Sequence, residues 1–222
     1  QLSGNPPGSY AHEPRRVYLE FQRACGACFI DQWIPENPLS MTDRGYAMDA
    51  PRTATTGAAG IVRDGVRIDS PEAVAEHMER HLFPRLRARP AELQAHADAE
   101  VARRIDGEHA VQRLFGANLL KGPYGGFFDV PRLLYGLYGY EHYLMAYALY
   151  PELMAECFRL QANAAVVHNR LAARAILAGG LPRVVRLDHD MADARGTLVD
   201  VRSLDDIWLP QLARAIQPFH DA

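Results

Sequence analysis

Lysine is almost absent from this chain. Lys121 is the only one, so arginine supplies nearly all of the positive charge, and Lys and Arg together number 24 against 27 Asp and Glu. With a formal net charge of -3 and arginines scattered rather than clustered, no nucleic-acid footprint follows. Arginine does favour carboxylate or phosphate recognition through its planar fork, although a high-GC genome writing Arg for Lys is the simpler cause of the bias. Cysteine is scarce as well: Cys25, Cys28 and Cys157 are an odd number with no disulfide framework, which makes a reducing cytoplasm the default. No run approaches the ~18 apolar residues that would span a bilayer. The chain opens at Gln1 with neither an initiator Met nor a basic-then-apolar signal segment, and so reads as a fragment.

What is present suffices for one sizeable core: 222 residues, 48% hydrophobic and 23% charged, suit one domain or a large part of one. Residues 1–14 are Gly/Pro/polar and read as a loop or cut end, leaving 15–222 as the domain. "RRVYLEFQRA" sets Val17, Phe21 and Ala24 on one helical face, with Gly26 as cap and "ACFID" as a buried strand ending at Asp31. Asp64-Gly65 marks a hairpin. Ser70 with Pro71 opens a helix carrying Val74, Met78 and Leu82. Residues 88–110 read as a surface helix, "AVQRLFGANLL" as a strand and "GPYGGFFD" as a Gly-rich loop. A long helix runs from Pro151 to the Gly179-Gly180 stop, followed by the strand "RVVRLD". Ser203 with Asp206 forms a capping box for the last helix, which Pro210 kinks.

Strands separated by long helices predict a parallel α/β sheet, whose chemistry sits at the carboxyl ends of its strands. Asp31 and the cluster Asp188, His189, Asp190 fall at such ends. Each has a plainer reading. Asp31 could cap a turn, and Asp188 and Asp190 could pair with Arg186 or Arg195. Tyr124, Phe127 and Phe128 could stack a flat ligand or pack on neighbouring helices. Cys25 and Cys28, a single CxxC, read as buried packing ahead of metal binding. His77 and His81 stand four apart without the glutamate of a zinc-protease signature and read as a solvated helix face.

Three stretches carry a resemblance. "FIDQWIPENPLSM", "GYEHYLMAYALYPELM" and "HDMADARGTLVDVRSLDDIWLPQLARAI" resemble, in order and spacing, segments of the uroporphyrinogen decarboxylase superfamily, over roughly residues 15 to 218. The resemblance implies a (β/α)8 TIM barrel, incomplete in this chain, because such barrels typically take ~250 residues or more. It further implies a cofactor-free decarboxylase acting on a tetrapyrrole or a related carboxylated substrate. Asp31 would be the catalytic pocket carboxylate; Tyr135, Asp188, His189, Asp190 and Arg195 would bind substrate. The family's pocket serine, expected near residues 188–190, is not evident. The superfamily's other branch, zinc-using methyl transfer with a corrinoid protein as partner, stays open, as does a non-catalytic barrel that binds a tetrapyrrole or corrinoid. A homodimer is compatible with either. No metal ligands are assigned within the chain.

Overall fold

In the computed structural model, residues 4–33, 40–42, 45–47, 61–194 and 196–222 are described. Helices dominate, and the strands are short. Helix α1 (Pro14–Ala24) leads into β1 (Phe29–Ile30). Two small antiparallel ladders follow, β2 (Ser40–Thr42) with β3 (Gly45–Ala47) and β4 (Ile61–Arg63) with β5 (Val66–Ile68). Then come α2 (Pro71–His77), α3 (Phe83–Ala95), α4 (Ala97–Phe115) and β6 (Leu120–Lys121). Helices α5 (Tyr140–Leu149) and α6 (Pro151–Ala178), the ladder of β7 (Ala192–Asp193) with β8 (Gly196–Thr197), and α7 (Leu209–His220) complete the order. The class is mixed α/β, with one parallel pairing among the described residues, Phe29 to Leu120 and Ile30 to Lys121. Among the described residues no closed barrel is formed.

Helix α6 is the spine. Its 28 residues rise about 42 Å at the usual 1.5 Å per residue, and α3, α4 and α7 pack along it. Its first half joins the main core with Val74, Met78, Tyr138, Tyr143 and Trp208. Its second half joins α4, Phe127 and Leu181 in a second cluster. A third, smaller cluster seats α1 and β1 on the end of α4 through Leu19, Ile30, Phe115 and Leu119. Burying each such side chain contributes about 1.5–3 kcal/mol before entropy is charged against it.

Several expected elements form for the expected reasons. At Asp64-Gly65 both residues take positive φ, 48° and 78°, as the favoured two-residue hairpin turn requires. The Ser70 side chain accepts the Ala73 N–H at 3.1 Å and caps α2. Helix α6 ends at Gly179-Gly180, where the N–H of Leu181 reaches back to the carbonyl of Ile176.

Others differ. Residues 111–115 are helical, not a strand: α4 continues to Phe115 and stops at Gly116, whose φ is 74°. Val111 and Phe115, four apart, lie on the face turned to the α1 cluster, so helical period wins over the short apolar run. The strand is Leu120–Lys121, after the turn at 116–119. The stretch 184–188 forms no strand among the described residues, and it leaves Val184 and Leu187 exposed. Helix 88–110 is instead two helices meeting at His96. Ser203 is not a cap; it lies inside a helical turn begun by Asp200, and its hydroxyl meets the Tyr147 hydroxyl at 2.5 Å.

Pro210 acts by widening a turn. Residues Leu204–Trp208 form a π turn with the Leu209 N–H on the Leu204 carbonyl, and Met78–Leu82 form another with the Phe83 N–H on the Met78 carbonyl. Each π turn ends two residues before a proline, Pro210 and Pro84. A proline cannot donate to the carbonyl four residues back and crowds it, and the wider turn relieves that clash.

Two sequence expectations about surface groups reverse. His77 is buried, not solvated, and Cys25 and Cys28 are exposed, not packed. Among the described residues no helix is long and apolar enough to cross a membrane.

Candidate functional site

The parallel pair decides where polar side chains gather. The Leu120 N–H donates to the Cys28 carbonyl at 2.8 Å and the Gly122 N–H to the Ile30 carbonyl at 2.9 Å, so both strands run out at the same end, into Asp31-Gln32 and Pro123-Tyr124. A Cβ on Gly122 would run into the Phe29 ring; glycine is what lets the two strand ends lie this close. Gln32 then donates to the Tyr124 hydroxyl at 2.8 Å and ties the two exits together.

Arg186, from the stretch after α6, closes the group. Its guanidinium lies 3.8 Å from the Asp31 carboxylate and 3.3 Å from that of Asp188, and 5.7 Å from the centre of the Tyr124 ring. A cation over an aromatic face between two carboxylates is held from three sides. Beside it a cleft of about 160 Å³ is lined by Tyr124, Phe127, Phe128, Arg132, Arg186 and Asp188. Phe127 is spent on the core, where Arg104 packs over its ring. Phe128 lies against Phe219 of α7.

Tyr135, His189 and Asp190 form a second group. The Tyr135 hydroxyl donates to the Asp190 carbonyl at 2.9 Å, and its ring stacks on Tyr140 at 4.5 Å and faces the His189 ring at 6.5 Å. His189 Nε2 accepts the Leu133 N–H at 2.9 Å, which fixes that nitrogen as unprotonated. Burial, then the nearby Arg132 charge, lowers the His189 pKa against the opposing pull of Asp190 and Asp188. Burial, followed by Tyr140 and Asp190, raises that of Tyr135. The Asp190 side chain accepts the Ala192 N–H at 3.2 Å and shapes the turn into β7. Asp31 and Asp188 are thus brought together by Arg186, while Asp190 serves its own turn. Arg195 lies outside the described residues.

Sequence reasoning named Arg186 only as a partner for the acidic cluster and did not find Gln32 or Arg132. The signal for Arg186 was its place two residues before Asp188 in an apolar stretch.

Larger hollows are less suited to chemistry. One of about 590 Å³, between α3, α4 and α6, presents Arg89, Arg103 and Arg104, but Glu100 already holds Arg103 and Arg104 at 2.7 and 2.8 Å and Glu92 meets Arg89. Among the described residues no three His, Cys, Asp or Glu side chains gather as a metal ion would need. No protein-family model, no curated protein and no solved structure matches this chain.

Proposed function

We propose that the chain is part of a barrel enzyme of the uroporphyrinogen decarboxylase kind, and that the cleft beside Arg186 holds one carboxylated edge of a flat substrate such as a tetrapyrrole. The observation that carries this reading is the convergence of Asp31, Tyr124 and Arg186 at the carboxyl end of a parallel strand pair, where α/β enzymes place their chemistry. The barrel is supported by the apolar side chains left uncovered there: Phe29, Leu120, Val184 and Leu187 are each at least 40% exposed, as barrel-wall residues would be without the neighbouring strands that cover them.

In this reading a substrate carboxylate displaces the exposed Asp188 from Arg186 and takes the guanidinium fork. The ring system lies along Tyr124 and Phe128. Once a pyrrole carbon takes a proton from water, the ring is a cation and accepts the electron pair of the breaking C–C bond as carbon dioxide leaves; the exocyclic methylene then takes a proton from water, the ring carbon gives its own back, and the side chain ends as a methyl. The Asp31 carboxylate stabilises the cations. No cofactor enters.

The test is an absorbance titration with a porphyrin carboxylate, paired with mass analysis of the products formed from the reduced substrate. Asp31→Asn is expected to lower turnover about 100-fold while leaving binding nearly intact, on the order of the loss of one electrostatic stabiliser. Full turnover in that variant would overturn the role of Asp31. A second reading, a non-catalytic binding module, is favoured by the Asp31 carboxylate already having a cation, Arg186, near it; tight binding without product would select it.

A further inference from the structure

We propose that Cys25 and Cys28 are a reversible dithiol–disulfide pair that closes across the junction of α1 and β1. The inference stands apart from the decarboxylase reading. Both thiols are exposed, whereas Cys157 is buried in the main core. The Cys157 thiol is pushed up to about 12 by burial, against a hydrogen bond from Gln161. The chain therefore offers one accessible pair and one inert internal control.

The backbone at the junction is fixed on both sides. The Cys25 N–H donates to the Phe21 carbonyl, and beyond it the Gly26 and Ala27 N–H groups donate back to Arg23 and Gln22, each at 3.0 Å. Gly26 takes φ 72°, a value open to glycine at little cost, and reverses the chain between the two cysteines. Cys28 is held by its carbonyl, which accepts the Leu120 N–H at 2.8 Å. Two short side chains on an anchored turn, separated by two residues, have only their χ angles left to choose.

Disulfide formation suits this donor set better than a metal does. A closed tetrahedral thiolate site needs four ligands, and among the described residues no third His, Cys, Asp or Glu joins the pair. A disulfide needs only the two sulfurs. The oxidant is a low-molecular-weight disulfide such as oxidised glutathione. One thiolate attacks its S–S bond and releases one reduced glutathione, leaving a mixed disulfide. The second thiol, losing its proton to solvent, attacks the protein-bound sulfur and releases the other. The protein loses two hydrogens, and the oxidant gains two. The closed ring would lock the end of α1 to the start of the strand that carries Asp31.

The experiment equilibrates the whole chain in glutathione buffers of graded reduced-to-oxidised ratio. Acid quenching, alkylation under native conditions and intact mass measurement follow, with peptide mapping of the product. The reduced protein is expected to take two alkyl groups natively and a third only after denaturation. The oxidised protein should take none natively and yield a peptide linked from Cys25 to Cys28, reversed by dithiothreitol. Cys25→Ser and Cys28→Ser should each stop at one bound glutathione. Two thiols still open to alkylation at high oxidised glutathione would overturn the proposal. So would a wild-type protein that stops at one or two bound glutathiones, or that joins two chains instead.

Discussion

The ammonium of Lys121 lies 2.8 Å from the Glu108 carboxylate in a place where neither has much water: their side chains are 4% and 12% exposed. The same Nζ donates to the Gly122 carbonyl at 2.5 Å. Glu108 reaches it from α4 and Lys121 from β6, so the chain's one lysine pins the parallel strand pair to the helix beneath. Burial raises the Glu108 pKa against the pull of Lys121.

Removing one partner leaves the other charge stranded. Lys121→Met is expected to destabilise by about 3–5 kcal/mol, whereas Lys121→Met with Glu108→Leu should recover most of the loss, because a buried pair is often worth little net. Urea unfolding of the four members of this double-mutant cycle gives the answer. Equal losses in the single and double variants would show that the pair itself supplies the stability.

Asn169 is fully buried in α6 and uses its whole amide. Its oxygen accepts the Asp129 N–H at 2.8 Å, and its nitrogen donates to the carbonyls of Asp129 and Ala215 at 2.8 and 2.7 Å. Asn169→Leu orphans these groups between the loop after β6 and α7, at an expected cost of about 2–4 kcal/mol. Thermal unfolding reads the loss. Hydrogen exchange should show it first at Asp129 and Val130.

His77 joins the hairpin to the core through two ring nitrogens, each 2.9 Å from its partner, Asp64 on one side and the Tyr138 hydroxyl on the other. Arg85 grips the other Asp64 oxygen at 2.5 Å, and the hydrogen bonds from Arg85 and then His77 hold the Asp64 carboxyl at about 2. Asp64→Ala removes both anchors and forces alanine into positive φ. His77→Phe keeps the ring but loses the relay. Asp64→Ala is expected to cost most because of the added backbone strain, His77→Phe about 1–3 kcal/mol, and Tyr138→Phe less. Chemical denaturation should rank them in that order.

Stability should fall on mild acidification. His168 and His189 both have pKa values lowered first by burial, so below about 6.5 the unfolded chain binds protons that the folded chain resists. The stability they contribute is complete above that pH and is lost as the pH falls through their folded values. Unfolding midpoints between pH 7.5 and 5 test this, and His189→Gln should flatten the slope. An unchanged slope in that variant would move the effect to His168.

Arg186→Gln should barely alter folding, by under about 1 kcal/mol, since its side chain is 42% exposed and exposed pairs are worth little. Its effect should fall on binding of a carboxylated ligand, read by the absorbance titration. Unaltered affinity would remove Arg186 from the site.

Local chemistry explains which features were legible. The turn at Asp64-Gly65, the Ser70 cap, the Pro14–Ala24 helix and the Gly179-Gly180 stop depend on residues within a few positions of one another, and composition alone names them. The sequence also placed Asp31 just past a strand end, but the strand it predicted before Asp188 does not form. It could not tell that residues 111–115 finish a helix, because a short apolar run fits either period and only burial of Val111 and Phe115 against α1 decides between them. Nor could it tell that His77 turns inward, since its partners lie 13 and 61 residues away. The exposure of Cys25 and Cys28, the packing of Tyr135 against the Asp190 carbonyl and the bridge of Arg186 across 155 residues to Asp31 all depend on which segments the helical spine brings side by side. That is fixed by the packing of whole elements, which no short stretch of sequence contains.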